Sequence, residues 1–306
     1  MEKIEGMTKK TEGMVIDKLG LIVPDEGLWP RGPFDTSFGP GDDILLALLE
    51  NPNLISATSS FKANPERKFL AFDESGSERS KWVYIFQKEY ATVDPALVDG
   101  YCIVEFLGSA VVANFVGTDE ATTCVGLVIR NKKTGMTSVA HMDSPEIVEM
   151  GLSQMLSSLV ANSLETEFEV HLIGGFEDVS LQQGNGSAIS ESPAYLDGYS
   201  FPLCSKIVHT LWSRDEKFHL QTFCVLGHNT RRDSDGKTYP FFNGFVVETA
   251  SGIVIPAIFD GTSRCPDELV RRIRVSVSYE DANWKEKLLE TYDCGSDCFK
   301  IAPCRW

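Results

Sequence analysis

The stretch TTCVGLVIRNKKTGMTSVAHMD, residues 122 to 143, places a cysteine and a histidine near the two ends of what reads as one hairpin. β-Branched residues dominate both flanks, and NKKTG supplies the turn. With a four-residue loop, Asn131 to Thr134, Arg130 pairs with Gly135 and, six steps outward on each strand, Cys124 faces His141. Directly opposed residues have Cβ atoms roughly 4.5 to 5.5 Å apart, close enough for thiol and imidazole to meet. A five-residue loop turns His141 to the other face, so the chemistry depends on register.

A histidine beside a thiol stabilises the thiolate and can later deliver a proton to a leaving amine, which is acyl-transfer chemistry. Taken alone, the same pair also fits a buried structural thiol and an ordinary strand-end histidine. Three neighbouring features favour the chemical reading. GTDEATTC, residues 117 to 124, suits a tight turn whose backbone N–H groups, that of Cys124 included, can form an oxyanion hole. Asp143 follows His141 by two residues and shares its face if the strand continues, where it can orient the imidazole or bind a cation. In HLIGGFED a glycine pair ends an apolar run just before acids, a usual place for backbone to approach a ligand closely.

The elements that must hold these residues are mostly strands. From Trp82 onward short β-rich runs recur: WVYIFQKEY, YCIVEFLG, AVVANFVG, CVGLVIR, TSVAHM, EFEVHLIGG, FHLQTFCVL, FFNGFVVET and GIVIPAIF. Helices are expected over SPEIVEMGLSQMLSSLV, with Ser144 as N-cap, Pro145 in the first turn and an apolar face of Ile147, Met150, Leu152, Met155 and Leu159. Others are expected near SKIVHTLWSRDEK and PDELVRRI. The fold class expected is α+β, with a mixed, mainly antiparallel, sandwich-like β-sheet core flanked by helices. Residues 1–75 read as a peripheral N-terminal segment: a polar head, a Gly/Pro-rich link, the short helix ILLALLENP and the Ser/Lys-rich loop SATSSFKANPERK.

Composition narrows the function classes. With 306 residues, 42% of them hydrophobic, the chain can bury a sizeable core, and its formal charge of −16 disfavours nucleic acid and anionic membrane. The polar start and the shortness of the apolar runs predict neither a signal peptide nor a membrane span, hence a cytoplasmic or nuclear protein. Eight cysteines, at 102, 124, 204, 224, 265, 294, 298 and 304, show no tight framework and are expected as thiols.

The residues GTDEATTCVGLVIR, the following TSVAHMD, and EFEVHLIGGFED resemble the protein N-terminal asparagine amidohydrolase family, over roughly residues 80 to 260. The resemblance implies that residues 76–306 form a catalytic amidohydrolase domain. It further implies hydrolysis of the side-chain amide of an N-terminal Asn to Asp with loss of ammonia, a step toward arginyl transfer and ubiquitin-dependent degradation. Cys124 falls on the family's nucleophile. The spacing of Thr118, Cys124 and His141 is similar to that of the Thr, Cys and His of bacterial chemoreceptor glutamine deamidases, which implies a hydrogen bond from Thr118 to the imidazole. The first 13 residues look like a disordered extension before a family-like start at Met14. The ending IAPCRW resembles a segment after which family members continue, which implies a shortened C-terminus.

On this reading Cys124 attacks the Asn carbonyl and His141 serves as acid and base, with no metal and no cofactor. A free α-ammonium calls for a carboxylate, and Asp119, Glu120, Asp143 and Asp178 are the candidates. The partners expected are proteins or peptides with a free N-terminal Asn. Three other readings stay open: a zinc module built on Cys294, Cys298 and Cys304, a non-enzymatic adaptor, and a deamidase of glutamine or internal residues.

Overall fold

The computed structural model describes residues 14–16, 40–70, 81–98, 113–159, 166–178, 198–264, 268–293, 295–296, 298–300 and 302–303. The described elements run β1 (Met14–Ile16), α1 (Pro40–Glu50), α2 (Pro52–Lys62), β2 (Arg67–Phe69), β3 (Lys81–Tyr84), β4 (Glu89–Val93), β5 (Ala113–Thr118), β6 (Val125–Asn131) and β7 (Thr137–Met142). After these come α3 (Val148–Leu159), β8 (Glu167–Gly174), α4 (Ser200–Trp212), β9 (Lys217–Cys224), β10 (Thr230–Arg232), β11 (Thr238–Pro240), β12 (Phe245–Glu248), β13 (Val254–Phe259), α5 (Glu268–Glu280), β14 (Leu289–Asp293) and β15 (Cys298–Phe299).

Eight strands form one sheet in the order β1-β9-β8-β6-β7-β4-β14-β15, and five form a second in the order β2-β13-β12-β5-β3. Most neighbours are antiparallel, while β2–β13, β3–β5, β4–β14 and β8–β9 are parallel. The α+β sandwich expected from the sequence is therefore the architecture found. Alternation along β6 sets the layers. Val125, Leu127 and Ile129 pack with Leu45 and Leu48 of α1, Leu152 and Met155 of α3, and Ile207 of α4. Val128 points the other way, toward Val116, Phe245 and Val247 of the second sheet. A strand buried on both faces must be apolar at nearly every position, which is why CVGLVIR reads as one continuous run.

Several expectations need correction. WVYIFQKEY is not one strand: it breaks after Tyr84, and its two ends enter different sheets across a turn in which Lys88 takes φ +62°. SATSSFK is helical, not loop. Asn51 caps α2 by accepting from Asn53 and Leu54 N–H, Pro52 follows in the first turn, and Leu54, Thr58 and Phe61 form a buried stripe at helical spacing. With Leu45 and Leu48 also buried, α1 and α2 belong to the core rather than to a peripheral segment.

Met150 is exposed, the buried face of α3 running instead through Val148, Gly151, Leu152, Met155, Leu156 and Leu159. Ser144 makes no side-chain cap. The helix expected near residues 205–217 begins earlier, at Ser200, and stops at Trp212, before β9. PDELVRRI extends to Glu280 as α5, because Arg271, Arg274, Val275 and Ser278 bury one helical face that outweighs the strand-like alternation of VSVSY. YCIVEFLG and the first 13 residues lie outside the described residues, as does most of the loop after Asp178. Among the described residues no helix is long and apolar enough to cross a membrane.

Candidate active site

The β6–β7 hairpin carries the site, and its register differs from the expected one. Arg130 pairs with Thr137 and Gly126 with His141, so six residues, not four, lie between Arg130 and Thr137. Asn131 is the cause. Its side-chain oxygen accepts from the N–H of Lys133 (2.9 Å) and Thr134 (3.1 Å), and its carbonyl accepts from Gly135, at φ +77°. Cys124 therefore does not face His141. One step beyond the last ladder pair, Val125 with Met142, the register sets Cys124 opposite Asp143. Because the shift is by two residues, parity is kept: Cys124, His141 and Asp143 share the face turned toward the second sheet.

Across the sandwich, Thr118 at the end of β5 meets His141, with Oγ1 to Nδ1 at 2.7 Å. The tautomer follows from counting protons. Thr118 donates its single hydroxyl proton to the Ile85 carbonyl, also at 2.7 Å, so toward His141 it can only accept. Nδ1 then carries the imidazole proton, and Nε2 keeps a lone pair able to receive a proton from a thiol. His141 is 3% exposed, and burial alone lowers its pKa from 6.5 to about 4, so the ring is neutral at neutral pH. Cys124 is a half-buried free thiol, pushed up to about 12 by burial first and by Asp143 second, with the Thr123 hydroxyl opposing. At rest the pair is thiol and imidazole.

Replacing Thr118 with valine leaves the buried Nδ1–H without its acceptor and frees the other tautomer to compete, its proton on Nε2 where a base is needed. The expected loss in kcat is roughly five- to 150-fold, the equivalent of about 1 to 3 kcal/mol, with Thr118→Ser restoring most of it. A wild-type kcat in the valine variant would show that the imidazole is oriented by something else.

The turn before Cys124 is clamped. Glu120 takes φ +59°, the Ala121 N–H donates to Asn243 O (2.8 Å), and Ser200 Oγ donates to Thr123 O (3.3 Å). The glycine pair at the end of β8 serves this turn. A Cβ on Gly174, which has φ +115°, would lie 2.7 Å from Cys124 O and 2.9 Å from Ala121 O. The glycine pair, expected to bring backbone close to a ligand, instead lets the end of β8 pack against the turn that carries Cys124.

The four carboxylates have separate fates. Asp119, 3% exposed, accepts from Tyr84 OH (2.9 Å), Phe259 N–H (2.7 Å) and Arg264 (3.2 Å). Glu120 is exposed and pairs with Arg264 at 2.7 Å. Asp178 accepts from Tyr199 N–H (2.7 Å) and Ser200 N–H (3.3 Å), at the N-terminus of α4. Of the four, only Asp143 combines proximity to Cys124 with a buried oxygen left unpaired among the described residues. Its Oδ2 accepts from Gln87 Nε2 (3.0 Å) and the Tyr279 hydroxyl, while its Oδ1 is buried with no partner among the described residues.

Lys88, Gln87 and Tyr279 went unnoticed in the sequence. Lys88 Nζ is buried, has no hydrogen-bond partner among the described residues and lies 3.8 Å from the Tyr279 ring centroid, while the Lys88 N–H donates to His141 O (2.9 Å). Burial lowers its pKa and Asp143 opposes the shift. Burial and then Asp143 raise that of Tyr279, keeping its hydroxyl a donor. Glu89 anchors the helix that brings Tyr279 here, its two oxygens each 2.7 Å from Arg271 and Arg274.

With this geometry in place, the chain can be set beside known proteins. The profile described as protein N-terminal asparagine amidohydrolase matches residues 73–306. A relative of that name from Arabidopsis thaliana is 53% identical over 274 residues, covering 89% of this chain and 74% of the relative. One from Mus musculus is 26% identical over 231 residues, covering 73% of this chain and 60% of the relative. The chain belongs to the protein N-terminal asparagine amidohydrolase family. Every residue of the hairpin, the turn before Cys124 and α5 lies inside the matched segment, so the amidohydrolase match spans the candidate site. Among the described residues of this amidohydrolase-family chain, no group of three or more His, Cys, Asp or Glu side chains is placed to hold a metal ion. Cys298 is an exposed thiol, while Cys294 and Cys304 lie outside the described residues.

Burial of histidine also sets an acid limit on the fold. His171, bonded to Thr222 at 3.0 Å, is held down to about 3 by burial first, as His141 is to about 4, against an ordinary 6.5. In the unfolded chain both rings protonate near 6.5; the folded chain resists. The stability they contribute is therefore complete above that pH and is lost as pH falls toward 4 and 3, on the order of 3 to 5 kcal/mol each. The urea midpoint should drop between pH 7 and pH 5; an unchanged midpoint would mean that solvent reaches both rings.

Proposed function

We propose that this chain hydrolyses the side-chain amide of an asparagine at a protein's free N-terminus, giving N-terminal aspartate and ammonia through a thioester on Cys124. The observation that carries the reading is the unpaired Oδ1 of Asp143, a buried carboxylate oxygen in register with Cys124 and without a hydrogen-bond partner among the described residues. An α-ammonium there would place the Asn side-chain amide carbon, three bonds from that nitrogen, against the sulfur.

Cys124 Sγ gives its proton to His141 Nε2 and attacks the amide carbon. Backbone N–H groups of the Thr123–Cys124 turn face the developing oxyanion. The imidazolium then returns the proton to the departing nitrogen, which leaves as ammonia. Water, deprotonated by Nε2, cleaves the thioester to the aspartate carboxylate and frees the thiol. Thr118 holds the ring through both halves. The product is a protein that begins with Asp, and we infer from the family that it feeds arginyl transfer and ubiquitin-dependent degradation in the cytoplasm or nucleus.

The test is ammonia release from Asn-led and Gln-led peptides side by side. One methylene is worth only about 1 to 3 kcal/mol in a pocket, so a preference for Asn of roughly tenfold or more supports the reading. Equal rates, or faster release from the Gln peptide, would make the chain a deamidase of different specificity.

A further inference from the structure

We propose that Asp143 also acts as a lock on the nucleophile: its charge holds Cys124 as a thiol until the substrate's own α-ammonium neutralises it. This rests on the amine-binding role assigned to Asp143 above and adds a second consequence of the same contact. The geometry is that of the shifted hairpin. Asp143 occupies the position opposite Cys124 that the sequence suggested for His141, so the group across from the sulfur is an anion rather than a base. A carboxylate there opposes ionisation of the thiol, and in a buried site it does so with little screening.

The other groups around the sulfur leave this opposition in place. His141, on the same face, is a neutral ring whose pKa burial lowers, so at rest it offers the sulfur no positive charge to offset the carboxylate. From the turn between β3 and β4, Gln87 donates to Oδ2 and Lys88 faces Asp143 from beneath the Tyr279 ring; from α5, the Tyr279 hydroxyl donates to the same oxygen. All three favour the carboxylate against the burial that raises its pKa. Glu89 is engaged by Arg271 and Arg274 and does not take part. Each of these partners approaches Oδ2 or the carboxylate as a whole, and Oδ1 is the oxygen left to a ligand.

When a free α-ammonium binds Oδ1, a unit positive charge cancels the carboxylate beside the sulfur. Transfer of the thiol proton to His141 Nε2 then meets no opposing charge, and no group is gained or lost in the step. Discrimination against internal and acetylated asparagine would thus act on the reactivity of the sulfur as well as on binding. A blocked amine leaves the lock closed even if the peptide docks.

The experiment follows thiolate formation by ultraviolet absorbance, as wild type minus Cys124→Ser, across a pH series. It is run with no ligand, with an alanine-led dipeptide amide, and with the N-acetylated form of that peptide. Occupancy is verified by inhibition of Asn-peptide turnover. The free-amine peptide should move the titration midpoint of Cys124 down by about one pH unit or more, roughly tenfold more thiolate at a given pH, and the acetylated peptide should not. Asp143→Asn should titrate low without ligand and ignore the peptide.

If the free-amine peptide inhibits and the acetylated one does not, yet the wild-type midpoint stays fixed, the lock is overturned while amine binding at Asp143 survives. If both peptides inhibit equally, the amine-binding reading fails and takes the lock with it. The wild-type comparison requires no Asp143 variant, so a folding defect in Asp143→Asn cannot mask the answer.

Discussion

Cys124→Ser should release no measurable ammonia from an Asn-led peptide, a fall on the order of 10⁴-fold or more. The physical reason is the modest base available. His141 is buried with its pKa lowered to about 4, a weak base at rest, and a thiol, even one whose pKa burial raises to about 12, gives up its proton far more readily than an alcohol held in the same place. A hydroxyl in the same place, several pKa units less acidic, remains an alcohol. The fold should survive, because the residue sits in a clamped turn and is only half-buried. Cys298→Ser is the control, its thiol exposed at the far end of the chain, and its turnover should equal that of wild type. Near-normal ammonia release from folded Cys124→Ser would move the nucleophile elsewhere, and the buried thiols among the described residues are no ready substitute. Cys204 and Cys224 are both fully buried in the core, where burial raises their pKa values.

The hairpin and the shared face of Cys124, His141 and Asp143 were legible in the sequence, because these depend on local patterns: β-branched flanks, turn residues and the parity of spacing along a strand. Register was not legible to the same precision. NKKTG contains turn residues for several loop lengths, and the side chain of Asn131, bonding two N–H groups ahead of it, selected the longer one. Parity survived by two compensating steps, so the shared face was right and the opposed partner was wrong. The carboxylates could not be ranked, since an acid's availability is decided by its partners. Asp119 is satisfied by Tyr84, Phe259 and Arg264, residues remote in sequence from it and, for the most part, from one another. Tyr279 and Lys88 illustrate the limit. VSVSY carries the alternation of a strand, and only the burial of Arg271 and Arg274 against Glu89 makes it a helix that lays a tyrosine over the site. A positive-φ lysine in a turn leaves no signature at all in WVYIFQKEY.

An N-acetylated Asn peptide should be turned over a hundredfold or more slower than its free-amine parent, equivalent to losing on the order of 3 to 5 kcal/mol of kcat/KM. Acetylation removes the positive charge, adds bulk, and leaves Asp143 Oδ1 buried and unpaired in the complex, where water cannot replace the lost partner. The same logic predicts how the four carboxylate-to-amide variants separate. Asp143→Asn should approach the acetylation penalty on free-amine peptides, and acetylation should add little further in that variant, because the two changes remove opposite ends of one ion pair. Asp178→Asn should change little, since asparagine accepts from helix N-terminal N–H groups nearly as well as aspartate does. Glu120→Gln loses an exposed ion pair worth at most about 1 kcal/mol and should leave turnover near wild type. Asp119→Asn breaks a buried cluster, so any loss of activity there should track a lower urea midpoint, whereas the loss in Asp143→Asn should appear in a chain still folded at the assay temperature. Equal turnover of free and acetylated Asn peptides by the wild-type protein would leave a general amidase with no reading of the N-terminus. A penalty that persisted undiminished in Asp143→Asn would place the amine against some other anion.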